Sequence, residues 1–162
     1  MMDMFWIGAQ SPILLAVISV LHLIRQPKYA IAYVVFSVIN NLINIFLKQT
    51  LKQPRPHIFV HDKSYWDYYG MPSGHAQQIL FTLVFLLLVR PSWIVFWICL
   101  TIGSFGLIER YVNRRHTLEQ LFVGGVIGVA FAMVSVFVIR KMLFFFEKNS
   151  GERHNVSAFG ET

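Results

Sequence analysis

Charge is scarce in this chain. Asp, Glu, Lys and Arg together make up 14% of its 162 residues, where a soluble domain carries about 25%. Acidic residues are the scarcest, eight in all, and no group of them converges on one segment, so no carboxylate cage for Mg²⁺ or Zn²⁺ is expected. Cysteine occurs once, as Cys99 inside an apolar run, which excludes a disulfide framework and a cysteine metal site. The N-terminus has Asp3, no basic stretch and no small-residue cleavage site, so the first apolar run is expected to stay in the membrane. What the chain has instead is 56% hydrophobic and 15% aromatic residues and a mean hydropathy of +0.55. The expected surroundings are therefore lipid, and no nucleic-acid partner is expected.

Spanning about 30 Å of hydrocarbon takes about 20 apolar residues, and five segments approach that length. They run over about Met4–Ile24, Tyr29–Leu47, His75–Val89, Ser92–Ile108 and Thr117–Ile139. The third and fourth are short, and their ends are expected to continue as helix into polar sequence. The predicted fold is all-α, a polytopic membrane bundle of about five transmembrane helices. Residues 1–146 form its single domain, and 147–162 a polar, disordered tail. No internal repeat is visible. Gly103, Gly106, Gly124, Gly125 and Gly128 are expected to let helices pack closely.

Alternating spans put the N-terminus, 48–72 and 109–116 on one face, and Arg25, Lys28, Arg90, Arg140, Lys141 and the tail on the other. Each face carries seven Lys or Arg, so a raw positive-inside count gives no orientation. Three of the first face's cations, Lys48, Arg55 and Arg110, are better assigned to a site. Leaving them out makes the tail cytosolic and the site lumenal or extracytoplasmic, in the endoplasmic reticulum membrane if the host is eukaryotic. The sequon Asn155-Val156-Ser157 then lies in the cytosol, unused.

The polar residues of that first face fall into three patches: Lys48-x6-Arg55-Pro56, Pro72-Ser73-Gly74-His75, and Arg110-x5-His116-x3-Gln120. Hairpins between consecutive helices bring them together. Arg55 and Arg110 offer planar forks for phosphate oxygens, and Lys48 a mobile point charge. Ser73 and Gly74 stand where a loop becomes a helix, a place for free N–H groups and close anion approach. Gln120, four residues after His116, can accept from Nδ1–H and leave Nε2 as a nucleophile. His116 then attacks phosphorus, while His75 protonates the leaving oxygen.

These three patches, in this order and spacing, resemble the signature of the type 2 phosphatidic acid phosphatase superfamily, over about Lys48 to Gln120 and the flanking spans. The resemblance implies the same roles: Lys48, Arg55, Ser73, Gly74 and Arg110 bind phosphate, His116 is the nucleophile and His75 the acid/base, with no cofactor. Two positions depart from the common pattern. Glu109 stands where a Ser is usual, and Gln120 where an Asp is usual. Gly70-Met71-Pro72-Ser73 and His116-Thr117-Leu118-Glu119-Gln120 resemble the dolichyl-diphosphatase branch, which implies a polyprenyl pyrophosphate cleaved to the monophosphate. The alternatives are a broad phosphatidate or phosphatidylglycerophosphate phosphatase, transfer to an alcohol acceptor, or a catalytically silent lipid-binding homologue.

Other polar residues have plainer expected roles. His22 is expected to hydrogen-bond between helices, and His57, His61 and His154 to sit in solvated loop and tail. Glu109 is expected to pair with Arg114 or Arg115, and Glu119 could lend its charge to His116. Ser37, Asn41, Asn44 and Lys48 form a stripe whose expected role is interhelical hydrogen bonding, with a wet cavity as the functional alternative. Tyr65, Trp66, Tyr68 and Tyr69 are expected to lie at headgroup depth beside the site.

Overall fold

The computed structural model describes residues 2–56 and 68–159. Helices follow the apolar runs: α1 (Met2–Leu23), α2 (Pro27–Leu51), α3 (Gly74–Val89), α4 (Trp93–Val112) and α5 (Leu118–Phe159). Among the described residues there is no strand, only one isolated antiparallel bridge, Pro54 to Tyr69. Three segments, Pro27–Leu51, Trp93–Val112 and Leu118–Asn149, are long and apolar enough to cross a membrane. Gly8–Leu23 and Gly74–Val89 are shorter apolar helices. The architecture is the expected all-α membrane bundle.

Helix ends differ from the expectation in instructive ways. α1 runs unbroken through Gln10, Ser11 and Pro12, because its neighbours there are close-packed: a side chain on Gly106 of α4 would collide with Ser11. α2 begins at Pro27, whose fixed φ and missing donor suit a first turn. It stops where Lys52 turns left-handed at φ 47°, its N–H returning to the Lys48 carbonyl at 3.1 Å. α4 extends to Val112 as expected. α3 does not extend. Ser73 caps one end, Arg90 and Pro91 close the other, and its 16 residues reach only about 24 Å at 1.5 Å per residue.

The short α3 is tolerable because it is the central helix. It packs against all four others, and Ala76, Gln77, Ile79, Phe81, Thr82, Leu83, Phe85 and Leu86 are buried. Irregular backbone at its ends therefore meets protein rather than lipid. Tyr33, Phe81, Phe85 and Phe131 form the aromatic heart of the core, with ring centroids 5.4–5.9 Å apart. Against α5 the approach is closest. A Cβ on Gly124 would collide with the Ser73 carbonyl oxygen, and one on Gly128 with that of Gln77. Small residues four apart let the two backbones touch.

α2 meets α3 through a polar ladder. Tyr33 shares a hydrogen bond with Thr82 at 2.9 Å, Gln78 donates to Ser37 at 3.1 Å and Asn40 donates to Gln78 at 2.9 Å. Gln77 donates to the Asn40 backbone and side-chain oxygens, and Asn44 donates to Gln77 at 2.8 Å. The expected interhelical stripe is real, but its middle member is Asn40 and not Asn41, which is exposed. At the other end of the bundle His22 Nε2 donates to the Arg90 carbonyl at 3.0 Å, and Arg90 donates back to the His22 carbonyl, the helix-linking role expected of that histidine. α5 reaches Phe159, into the polar stretch 147–162. His57, His61, Tyr65 and Trp66 lie outside the described residues, as do the side chains of His154 and Asn155.

Candidate active site

Each of the three patches is folded by a local device. In the first, the left-handed turn at Lys52 ends α2 and reverses the chain. Gly70 N–H then donates to the Gln53 carbonyl at 2.8 Å, and the Pro54–Tyr69 bridge pins the segment carrying Arg55. In the second, Asn44 donates to the Pro72 carbonyl at 3.2 Å, after a cis Met71–Pro72 bond. In the third, α4 unwinds at Asn113, and the backbone N–H groups of Arg115 and His116 both return to the Arg110 carbonyl, at 3.0 and 3.2 Å. That wrap is the physical content of the Arg-x5-His spacing: it folds His116 back over the end of the helix that carries Arg110.

The three patches meet on one cleft of about 780 Å³. Lys48, Arg55, Gly74, His75, Arg110 and His116 line its polar end, with Arg115 beside them. Ala9, Pro12, Ile13, Ala16 and Val17 of α1 and Val38, Leu42 and Ile45 of α2 line its apolar reach. The ladder residues Ser37, Asn40, Asn44, Gln77 and Gln78, with Asn41, line it too. Interhelical bonding and a polar cavity wall are thus one and the same stripe. Three permanent cations and the first-turn N–H groups of Gly74 and His75, which have no partner inside the helix, suit a multiply charged anion.

Ser73 and Gln120 do not line the cleft; both are buried behind it. The Ser73 N–H donates to the Gln120 carbonyl at 3.0 Å, and its hydroxyl accepts from Ala76 N–H at 3.5 Å as the N-cap of α3. This corrects the expectation of a free Ser73 amide for phosphate: the group is spent joining the starts of α3 and α5.

Gln120 meets His116 at the expected spacing, with His116 Nδ1 and Gln120 Oε1 3.2 Å apart. The amide is saturated. Oε1 also accepts from Thr117 N–H at 3.3 Å, and Nε2 donates to Gln53 Oε1 and to the Pro54 carbonyl, both at 3.0 Å. The Gln120 N–H in turn donates to the Thr117 hydroxyl at 3.2 Å. Thr117 and Gln120 thus form a reciprocal capping box at the start of α5. The Thr-x-x-Gln spacing carries that signal in the sequence.

Burial holds the His116 imidazole far below its usual range, at about 3, the charges of Arg55 and Lys48 acting in the same direction and the Gln120 hydrogen bond against them. Neutral His116 with Nδ1–H on Gln120 keeps its lone pair on Nε2. His75 takes the opposite arrangement. Its Nε2 donates to the Ala9 carbonyl of α1 at 3.1 Å, which leaves Nδ1 for the cleft. The sequence carries no signal for this contact, because a backbone carbonyl 66 residues away in the chain has no motif.

Glu109 is buried and forms an ion pair with Arg110 at 2.8 Å, while accepting from Asn113 at 2.7 Å. Its expected partners, Arg114 and Arg115, are exposed instead, carried past it as the chain unwinds and Arg114 goes left-handed at φ 52°. Glu119 is also exposed. Tyr68 is exposed, with its ring against Tyr69. Among the described residues no three His, Cys, Asp or Glu side chains group closely enough to hold a metal.

The model of the PAP2 superfamily matches residues 29–143, well over half of the chain. Lipid phosphate phosphatase epsilon 1, chloroplastic, of Arabidopsis thaliana is 31% identical over 120 residues, covering 69% of this chain and 41% of that protein. The palmitoyl-protein thioesterase-dolichyl pyrophosphate phosphatase fusion 1 of Schizosaccharomyces pombe is 30% identical over 116 residues, 65% of this chain and 18% of the fusion. The chain thus spans less than half the length of these relatives. No solved structure matches.

Proposed function

The chain belongs to the PAP2 superfamily, and from that premise we propose that this multi-pass membrane protein is a lipid phosphatase whose nucleophile is His116. The observation that carries the reading is the His116–Gln120 contact of 3.2 Å beside a cleft lined by Lys48, Arg55, Arg110 and His75. In the first step His116 Nε2 forms a bond to phosphorus as the P–O bond to the leaving group breaks. His75, protonated, gives the leaving oxygen the proton on Nδ1. In the second step water attacks the phosphohistidine, His75 takes its proton, and inorganic phosphate departs with His116 restored. The three cations and the Gly74 and His75 amides stabilise charge spreading over the equatorial oxygens. The chemistry requires no metal ion.

The proposed substrate is a polyprenyl pyrophosphate of the dolichyl type, cleaved to the monophosphate. Its headgroup meets the cations, and its tail leaves between α1 and α2 along Ala16, Val17, Val38 and Leu42, which line the cleft. Similarity to the yeast fusion supports this substrate. Similarity to the Arabidopsis lipid phosphate phosphatase supports a simple lipid phosphate as the second candidate class, and phosphatidate serves as its representative. The site faces the lumen or cell exterior, the end carrying Arg25, Arg90 and Arg140 facing the cytosol. The test is phosphate release by purified protein in detergent from polyprenyl pyrophosphate and from phosphatidate, each with and without EDTA. The expected result is faster release from the pyrophosphate, unchanged by EDTA. Faster release from phosphatidate would overturn the substrate, and loss of activity in EDTA the mechanism.

A further inference from the structure

The carboxamide of Gln120 has to present oxygen, and not nitrogen, to His116. A carboxylate would do so in either orientation, whereas an amide can flip. We infer that Gln53, in the turn between α2 and Arg55, is a positioning residue that fixes the sense of the Gln120 amide and through it the tautomer of the nucleophile. The inference rests on the proposed role of His116.

Two of the four contacts of that amide have a fixed sense. The Pro54 carbonyl can only accept, so the group 3.0 Å from it is Nε2. The Thr117 N–H can only donate, so the group 3.3 Å from it is Oε1. Nε2 has a second hydrogen, and it goes to Gln53 Oε1 at 3.0 Å. Without that acceptor the hydrogen is left in a place where Gln120 is almost wholly buried, and such an unmade bond is costly. The backbone of Gln53 is itself tied down, since its main-chain carbonyl accepts from Gly70 N–H at 2.8 Å. Gly70 must be glycine here, because a Cβ would lie 2.5 Å from Gln120 Oε1. The turn before Arg55 therefore does two jobs: it delivers a phosphate-binding cation and it closes the cage around the residue behind the nucleophile. Where a carboxylate stabilises an imidazolium by charge, this cage supplies orientation alone. Tautomer is the larger share of what such a partner contributes.

The test compares Gln53→Met, which keeps length and removes the acceptor, with Gln53→Glu, which keeps the acceptor. In Gln53→Met, kcat should fall roughly tenfold with KM nearly unchanged, as is common when the support of a reacting group is removed. Gln53→Glu should stay within about threefold of the parent. Nitrogen-15 NMR of histidine-labelled protein in micelles, with the His116 signal assigned by its loss in His116→Asn, reads the tautomer directly. The parent and Gln53→Glu should show Nδ1–H alone, and Gln53→Met a mixture with Nε2–H. If Gln53→Met does not fold, Gln53→Asn, which draws the carbonyl back by one methylene, replaces it with the same expected result. A folded Gln53→Met or Gln53→Asn that keeps both the single tautomer and the parent kcat would overturn the inference. So would a Gln53→Glu as impaired as the loss variant. The NMR arm needs no turnover, so a parent that hydrolyses no lipid phosphate would refute the proposed function and leave this inference to be decided by the tautomer.

Discussion

The two walls of the cleft are built to opposite rules. On one side the lining is carried by α3, backed by α5, which touches it backbone to backbone at Gly124 and Gly128 and is joined to it by the Ser73–Gln120 backbone hydrogen bond. On the other, α1 and α2 present Ala16, Val17, Val38 and Leu42 to open space. On the proposed mechanism the first wall holds groups that must keep their places to within about 0.5 Å. The second has only to accept a chain of methylenes and methyls, and small apolar side chains suffice. His75 is shared between them, standing on α3 with its Nε2 on the Ala9 carbonyl of α1.

Breaking the first wall should do the most damage. Gly128→Leu drives a side chain into the Gln77 backbone. Overpacking of this kind costs about 1–3 kcal/mol or more, and here it also separates Ser73 from Gln120. Thermal unfolding in detergent should show a clearly lowered midpoint, with phosphate release falling at least about tenfold, since misplacing reacting groups by an ångström costs rate steeply. Near-parent stability and rate would show that the close approach of α3 and α5 is dispensable.

A pH series probes the same wall more gently. His116 stays neutral, with its single Nδ1 proton, in the folded protein above about pH 3, whereas in the unfolded chain it takes a second proton below its ordinary 6.5. The unfolded state therefore binds more protons between these values, and stability falls as pH drops from about 6.5 toward 3. In His116→Asn that decline should be shallower, as measured by urea unfolding at pH 7 and pH 4.5. An identical decline in both proteins would contradict a neutral buried His116. The second wall should respond least. Ala16→Leu narrows the apolar reach of the cleft, and is expected to raise KM for long-chain substrates a few-fold while leaving kcat and the unfolding midpoint in place. A fall in kcat as large as that of Gly128→Leu would erase the distinction between the walls.

What could be read from the sequence divides along the same line. Helices, their order and the three motifs are local patterns of hydropathy and spacing, and the structure brings Lys48, Arg55, Gly74, His75, Arg110 and His116 to one cleft. The His116–Gln120 contact is also local, four residues apart on one helical start, and so was legible. The Ser73 N–H goes to the Gln120 carbonyl in another helix, and Glu109 pairs with Arg110 because the chain unwinds just after it, and neither outcome is a matter of local spacing. Gln53, Pro54 and Ala9 lie 66 or 67 residues from their side-chain partners, and two of those three contacts use backbone carbonyls. Such contacts exist only once the helices have packed.

The most direct test of the account is to trap the intermediate. Protein mixed briefly with lipid substrate labelled in its terminal phosphate and quenched in base should carry an acid-labile, base-stable label on His116. Its rate of formation should match or exceed turnover, and His116→Ala should carry none and release phosphate about a thousandfold more slowly. Labelling of another residue, or undiminished hydrolysis by His116→Ala, would contradict it.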